Sequence, residues 1–356
     1  MSMATPKEKG RGRTLFWSCR FYRAPSQLTL ALLVLVAMNK AKRMLTGLQP
    51  SGTLHIGNYF GAVKPYLDLV QDPTNENLES FLMVADYHAL TTVRDPEKLR
   101  AATRQIVRDY LAFGVDPKKV VMFRQSSNPD HMELAWIFNC LVSVPFLQQA
   151  HAYKDKIAKG LEANAGLFTY PMLMAADIVL YDTDTVPVGE DQRQHIEYAR
   201  EAVTKFNKAY GDILKSPKEH ILPTLGVVPG LDGQKMSKSY GNTIPMFATK
   251  DEIATLVKKI VTDSSGERPE NVYRLHTLVR TENEIIPIYE EHKGQYKILK
   301  DMLTDDLDAF MTPLREARAN ISDEQIDIVL KEGKNKAHDV SADVMTRVRK
   351  AIGITI

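Results

Sequence analysis

Short apolar runs alternate with helix-patterned segments from Met44 to about residue 245, and no other feature restricts the possible folds as strongly. Met44–Leu48 reads as a strand and Gly57–Val70 as a helix. Phe81–Ala85 is apolar without interruption, as suits a strand buried on both faces. Asp95-Pro96-Glu97 opens a helix: a capping Asp, Pro at the first helical position, then an acid near the positive dipole end. That helix is expected to reach about Phe113. Val120–Phe123 and Thr185–Val188 follow as strands, with helices over Asp130–Leu141, Tyr170–Tyr181 and Asp191–Tyr210. This alternation predicts an α/β fold, a doubly wound, parallel, Rossmann-like sheet that binds ligands beyond the carboxyl ends of its strands. From Asp251 onward only helical periodicity is seen, with polar breaks at Asp263–Asn271 and near Thr312–Pro313. Three regions are expected: an extension over 1–43, a Rossmann-like domain over 44–245 and a smaller all-helical domain over 246–356. The last helix of the third is able to pack back onto the second.

Composition excludes several classes. A chain of 356 residues, 44% hydrophobic and 25% charged, is neither disordered nor collagen-like as a whole. Cys19 and Cys140 are too few for a disulfide framework or for a four-thiolate zinc or iron–sulfur site, so a reducing compartment is expected. The longest apolar run, Leu30–Met38, falls well short of the roughly 20 residues of a membrane-spanning helix. The net charge of +2 conceals an asymmetry, because residues 1–43 carry +8 and the remainder −6. Any nucleic acid must therefore be met by local patches of the body. The first 43 residues fit an extension ahead of a start at Met38 or Met44, and hence a cytoplasmic protein. They also fit an organellar transit peptide.

Two loops have the residues to grip phosphate. In Gln49-Pro50-Ser51-Gly52-Thr53-Leu54-His55-Ile56-Gly57-Asn58 a strand gives way to a helix. Gly52 and Gly57 allow tight turning and close backbone approach. The helix mouth offers N–H groups and a positive dipole end, while His55 and Asn58 add side-chain donors. A plain strand–helix turn capped by Asn would look similar. In Gly233-Gln234-Lys235-Met236-Ser237-Lys238-Ser239-Tyr240-Gly241, two lysines sit among hydroxyls between glycines that can act as hinges. A solvated basic loop is the commoner fate of such a stretch. A third constellation lies on the Tyr170–Tyr181 helix, where Tyr170, Met174, Asp177 and Tyr181 share one face. An Asp on an aromatic, Met-lined face is costly to bury without a partner. It is either at the solvent edge, or paired with a nearby Arg or a helix terminus, or an acceptor for a ligand N–H such as an indole's.

Taken together, the loops resemble the signatures of class I aminoacyl-tRNA synthetases. His55-Ile56-Gly57-Asn58 looks like the "HIGH" motif with Asn in the last place, and Lys235–Ser239 matches "KMSKS" letter for letter. Gln49–Gly52, Tyr170–Asp177 and Val186–Gln192 are similar to the tryptophanyl branch of bacterial and organellar type. The resemblance spans about residues 44–356.

What the resemblance implies is specific. The activity would join tryptophan to ATP as tryptophanyl-adenylate, releasing pyrophosphate, then pass the tryptophanyl group to tRNA(Trp). ATP would arrive with Mg²⁺ held mainly through its phosphates, and no protein metal site is implied. His55, Asn58, Lys156, Lys235 and Lys238 would assist the chemistry. Gln49, Pro50, Ser51, Gly57, Asn58, Gly189, Glu190, Asp191 and Val228, with Lys235, Met236, Ser237, Lys238 and Ser239, would hold ATP. Asp177 would accept the indole N–H. Tyr170, Met174, His88, Val186, Val188 and Gln192 would complete the tryptophan pocket. The helical domain would read the tRNA anticodon, no membrane is implied, and a homodimer is expected. The apolar stretch Met132–Leu147 reads equally as core or as a dimer contact. The tyrosine-specific sister enzyme, a smaller nucleotidyltransferase and a non-catalytic binding paralogue are the alternatives. The intact signatures and the 170–192 region weigh against each of them.

Overall fold

The computed structural model describes residues 41–50, 52–160, 163–189, 193–221, 227–262 and 268–355. The N-terminal extension to residue 40, Ser51, Glu190, Asp191 and Gln192 lie outside the described residues.

Among the described residues, five parallel strands form one sheet in the order β3-β2-β1-β4-β5: β1 (Lys42–Leu48), β2 (Leu78–Val84), β3 (Val120–Arg124), β4 (Thr185–Val188) and β5 (Lys218–Ile221). Register pairs Leu45 with Phe81, Leu82 with Met122, and Met44 with Thr185. The order runs outward from β1 in both directions, so the topological switch point lies between β1 and β4. A doubly wound sheet opens a crevice there, at the carboxyl ends of the strands. The strands read from the sequence are all present. β5 had no readable signal, because Lys218-Glu219-His220 is the charged sequence of a sheet edge rather than a buried run.

Helix α1 comprises Ile56–Asn58, a π-helical turn at Tyr59–Val63 and Lys64–Gln71. Then come α2 (Asp86–Ala89), α3 (Pro96–Ala112), α4 (Asp130–Asn139), α5 (Val144–Leu147), α6 (His151–Ala158), α7 (Ala165–Val179) and α8 (Arg193–Tyr210). Asp95 caps α3 as its sequence requires, accepting the N–H groups of Glu97 and Lys98 at 2.9 and 3.1 Å. Helix α7 begins five residues earlier than its apolar face suggests, because the Asn164 side chain caps it through the N–H of Leu167 at 2.8 Å.

After residue 245 the described residues form helices α9 (Lys250–Lys258), α10 (Glu270–His276), α11 (Glu282–Glu291), α12 (Tyr296–Ala319) and α13 (Asp323–Ile352). The break expected near Thr312–Pro313 does not occur, since α12 runs straight through Pro313. An interior proline costs a hydrogen bond, yet Leu299, Leu303, Leu307 and Met311 form a fully buried seam ahead of it, and the half-buried Leu314 packs on the same core just after it.

Alternate strand residues feed two cores, as the two-residue period of a strand demands. Met44, Leu82, Val84 and Met122 meet α1, α9, α10 and α12 on one face. Leu45, Phe81, Met83 and Phe123 meet α4, α7 and α8 on the other. Helices after residue 245 thus share a core with the sheet, and Ala41–Ile356 form one compact unit. Helix α13 contributes Ile326 to the first core and Ala337, Val344 and Met345 to the second. It rounds the β3 edge at Gly333, where any side chain would overlap the backbone carbonyl of Met122.

Candidate active site

His55 is the N-cap of α1 and is buried. Its Nδ1 accepts the backbone N–H of Asn58 at 3.3 Å, and the Asn58 Oδ1 accepts the N–H of His55 at 3.2 Å. A backbone N–H can only donate, so the imidazole proton is carried by Nε2. Burial, and then the nearby charge of Lys238, push His55 down to about 4. It is neutral at pH 7 and available as a directed N–H donor. Asn in the fourth place of the motif is explained by this reciprocal cap.

The second loop packs directly on this helix mouth. A Cβ on Gly57 would come within 3.1 Å of the Met236 Cβ, so a side chain there would push the loop back by a few tenths of an ångström. Backbone bonds join Ile56 N–H to Ile244 O at 3.0 Å and Met246 N–H to Leu54 O at 2.9 Å. Within the loop, Met236 N–H reaches the carbonyl of the buried Val228 at 2.9 Å. Asn242 then ties the turn together. Its Oδ1 accepts Ser237 N–H at 2.8 Å, while its Nδ2 donates to Asp232 at 2.7 Å and to Lys235 O at 3.1 Å. Sequence reasoning passed over Asn242, whose only signal is a buriable amide directly after a hinge glycine. Lys235, Lys238 and Ser239 are exposed, and the Ser237 and Ser239 hydroxyls share a 2.9 Å hydrogen bond. Although Lys238 is exposed overall, desolvation near its ammonium still lowers its pKa.

A cleft of about 930 Å³ opens at the switch point, between the carboxyl ends of β1 and β4. Gln49 and Gly189 line it, as do His88, Tyr170, Met174, Asp177, Val186 and Val188. The structure thus brings together, from five elements and loops, eight residues singled out from the sequence. Thr46, Gly47, His151 and His195 also line the cleft and carried no signal that separated them from ordinary strand and helix residues. Pro50 is buried and Lys156 half-buried on α6, and neither lines the cleft. Nor do residues 235–239, which stand over the mouth of α1 instead.

Asp177 is 2% exposed, and both of its oxygens are engaged. Gln125 Nε2 donates to Oδ1 and Oδ2 at 2.8 and 3.0 Å, His88 Nε2 lies 2.8 Å from Oδ2, and His131 Nδ1 lies 2.7 Å from Oδ1. Burial alone would raise this carboxyl, but hydrogen bonds from His131 and His88 outweigh it and hold the group down at about 2. His88 and Tyr170 meet edge to face, as do Tyr170 and His195, leaving an aromatic wall beside the carboxylate. Tyr181, the fourth member of the expected helix face, is fully buried behind it. Gln125 and His131 are residues the sequence did not flag.

Residues 37–341 match the model of the family described as tRNA synthetases class I (W and Y). The chain belongs to this family. A tryptophan–tRNA ligase of Fusobacterium nucleatum is 43% identical over 324 residues, which is 88% of this chain and 98% of that protein. The crystal structure of tryptophanyl-tRNA synthetase from Campylobacter jejuni complexed with ADP and tryptophan superposes with a TM-score of 0.81. It is 39% identical, over 87% of this chain and 99% of that one. Tyrosyl-tRNA synthetase of Archaeoglobus fulgidus, at 19% identity and a TM-score of 0.58 over 82% of this chain and 94% of that one, shares the fold. The Rossmann-like sheet with appended helices is therefore that of a class I aminoacyl-tRNA synthetase, an ATP-dependent ligase.

Proposed function

We propose that this synthetase is a tryptophan–tRNA ligase. It activates L-tryptophan with ATP to tryptophanyl-adenylate and pyrophosphate, then transfers tryptophan to tRNA(Trp). One observation carries the reading: an ionised, buried carboxylate, Asp177, in the wall of an aromatic and Met-lined cleft at the sheet's switch point. An indole N–H is the ligand group that such an acceptor selects. Tyr170, Met174, Val186 and Val188 pack on the ring, His88 adjoins it, and Gln192 meets the amino acid's polar end. The tryptophan-specific relatives support this choice over the tyrosine-specific sister enzyme.

Adenylation needs no protein nucleophile. The tryptophan carboxylate attacks the α-phosphorus, and the bond to the β-phosphate oxygen breaks with its electron pair leaving on pyrophosphate. The protein supplies alignment and charge compensation. Nε2 of His55 and the first N–H groups of α1 hold one side of the triphosphate. Lys235 and Lys238 hold the β and γ groups more strongly as charge develops, with Lys156 contributing from α6. Gln49, Pro50, Ser51, Gly57, Asn58, Val228, Met236, Ser237 and Ser239 shape the phosphate end. Gly189, Glu190 and Asp191 face the adenosine, its ribose above all. Among the described residues, no group of three or more His, Cys, Asp or Glu converges as a metal cage would. Mg²⁺ is read as arriving with the nucleotide, held through its phosphates, where it would neutralise their charge.

The helices over 246–356 are read as the anticodon-binding part. Met132 and Trp136, one turn apart on α4 and 49% and 71% exposed, together with exposed Val144, are read as the homodimer contact. No helix among the described residues is long and apolar enough to cross a membrane. The working place is taken as the cytoplasm, or an organelle if residues 1–43 are a transit peptide; fusing that segment to a reporter separates the two. Amino-acid-dependent ATP–pyrophosphate exchange with tryptophan and tyrosine in parallel tests the central reading. Exchange with tryptophan alone is expected, and exchange with tyrosine alone would overturn it.

A further inference from the structure

Two amides and two rings behind the cleft have only one consistent proton arrangement. Asp130 N–H donates to Oδ1 of Asn128 at 3.2 Å, which fixes the orientation of that buried amide. Its Nδ2 must then be the donor to Ser341 Oγ at 2.8 Å and to the Tyr181 hydroxyl oxygen at 3.3 Å. The Tyr181 proton is thereby directed to His131 Nε2, 2.7 Å away. His131 accepts at Nε2, carries its own proton on Nδ1, and gives it to Asp177 Oδ1 at 2.7 Å. Gln125 is fixed in the same way. Its Oε1 accepts the N–H groups of Tyr87 and His88 at 3.1 and 3.4 Å, so its Nε2 must donate to Asp177. His131, Gln125 and Tyr181 are all 0% exposed, so no water competes for these bonds.

We infer that His131 is a specificity-determining positioning residue, oriented by a one-way relay from Asn128 through Tyr181, that grips Oδ1 of Asp177 and so fixes the carboxylate, with Oδ2 turned toward the cleft, in the orientation that reads the ligand. Oδ2 is the oxygen beside His88, which lines the cleft, whereas His131 does not. If His131 were turned over or lost, the carboxylate would be free to rotate and to take up a proton, and its acceptor would no longer be fixed in space. The inference rests on the tryptophan reading of the cleft, and it extends that reading to a residue that touches no substrate.

Tyr181→Phe removes one hydroxyl and keeps the ring, which stacks on Phe81 at 5.1 Å and meets Phe123 edge-on at 5.3 Å. It is expected to raise the tryptophan KM about 3- to 10-fold in pyrophosphate exchange, with the ATP KM unchanged. His131→Leu should raise it roughly 10- to 100-fold. His131→Asn, whose amide can donate from the Nδ1 position, should recover most of that loss. A tryptophan KM within about 2-fold of the parent's in both Tyr181→Phe and His131→Leu overturns the inference. So does a His131→Asn variant that melts like the parent yet performs no better than His131→Leu. Should His131→Leu not fold, Tyr181→Phe and His131→Asn decide between them. ¹⁵N-histidine NMR of the parent protein reports the tautomer directly: a proton on Nε2 of His131 overturns the inference whatever the enzyme activates. Absence of tryptophan-dependent exchange in the parent, with the Nδ1 tautomer seen, would instead count against the functional reading.

Discussion

Asp177 has both oxygens bonded inside the protein, and its partners Gln125 and His131 are as buried as any core leucine. At the other end of the site, Lys235, Lys238 and Ser239 ride on an exposed turn whose geometry is kept by backbone bonds and by Asn242. The first arrangement is finished before any ligand arrives, which suits discrimination, because a fixed acceptor rejects whatever cannot donate to it. The second presents its charges at the surface, which on the proposed reading suits rate, because only interactions that strengthen toward the transition state accelerate a reaction.

That contrast is open to attack at both ends. Asp177→Ala should produce the largest effect, lowering the tryptophan-over-phenylalanine ratio of kcat/KM by about 10³-fold or more. Unchanged selectivity in a variant that melts cooperatively would break the assignment of the buried end. Lys238→Ala should slow adenylation by about 10²-fold or more while tryptophan binding, followed by titration calorimetry, barely moves. A large loss of tryptophan affinity at an unchanged rate would reverse the roles of the two ends. Asn242→Ala, acting only on the shape of the lysine turn, should cost a smaller factor of about 10 in kcat and leave the tryptophan KM alone.

The smallest effect concerns pH. Burial and Lys238 depress His55 from 6.5 to about 4, so as pH falls the unfolded chain takes up this proton before the folded one does. The stability it contributes is whole above about pH 6.5 and lost progressively toward about pH 4. Thermal melts of the parent should fall across that window, and those of His55→Asn should fall less. Burial also depresses His276, which loses stability in the same direction, so the difference between the two proteins is the informative quantity.

The two ends also differ in how far the sequence discloses them. His55 and Asn58 cap each other three residues apart, and the lysine turn closes within ten residues, so local pattern suffices. The strands and most helices of the sheet region are local in the same sense. Asp177 was visible as an awkward charge on an apolar helix face, but its partners His131, Gln125 and His88 stand 46, 52 and 89 residues away on other elements. Periodicity has no means of finding them. The uninterrupted course of α12 through Pro313 was hidden for a related reason, since the seam that outweighs the proline belongs to tertiary packing. Short α5 and α6 and the charged strand β5 fall below the length at which a pattern declares itself.

Gly333 has a consequence for synthesis on the ribosome. β3 is the outermost strand on its side, and its margin is covered only when α13 swings round it with that glycine seated on Met122. Until residues 323–352 have emerged, a nascent chain exposes an uncapped row of peptide groups beside a half-closed core, an inviting template for self-association. The last helix thus serves as a clasp, and premature termination within it would leave a product more disposed to clump than to turn over substrate.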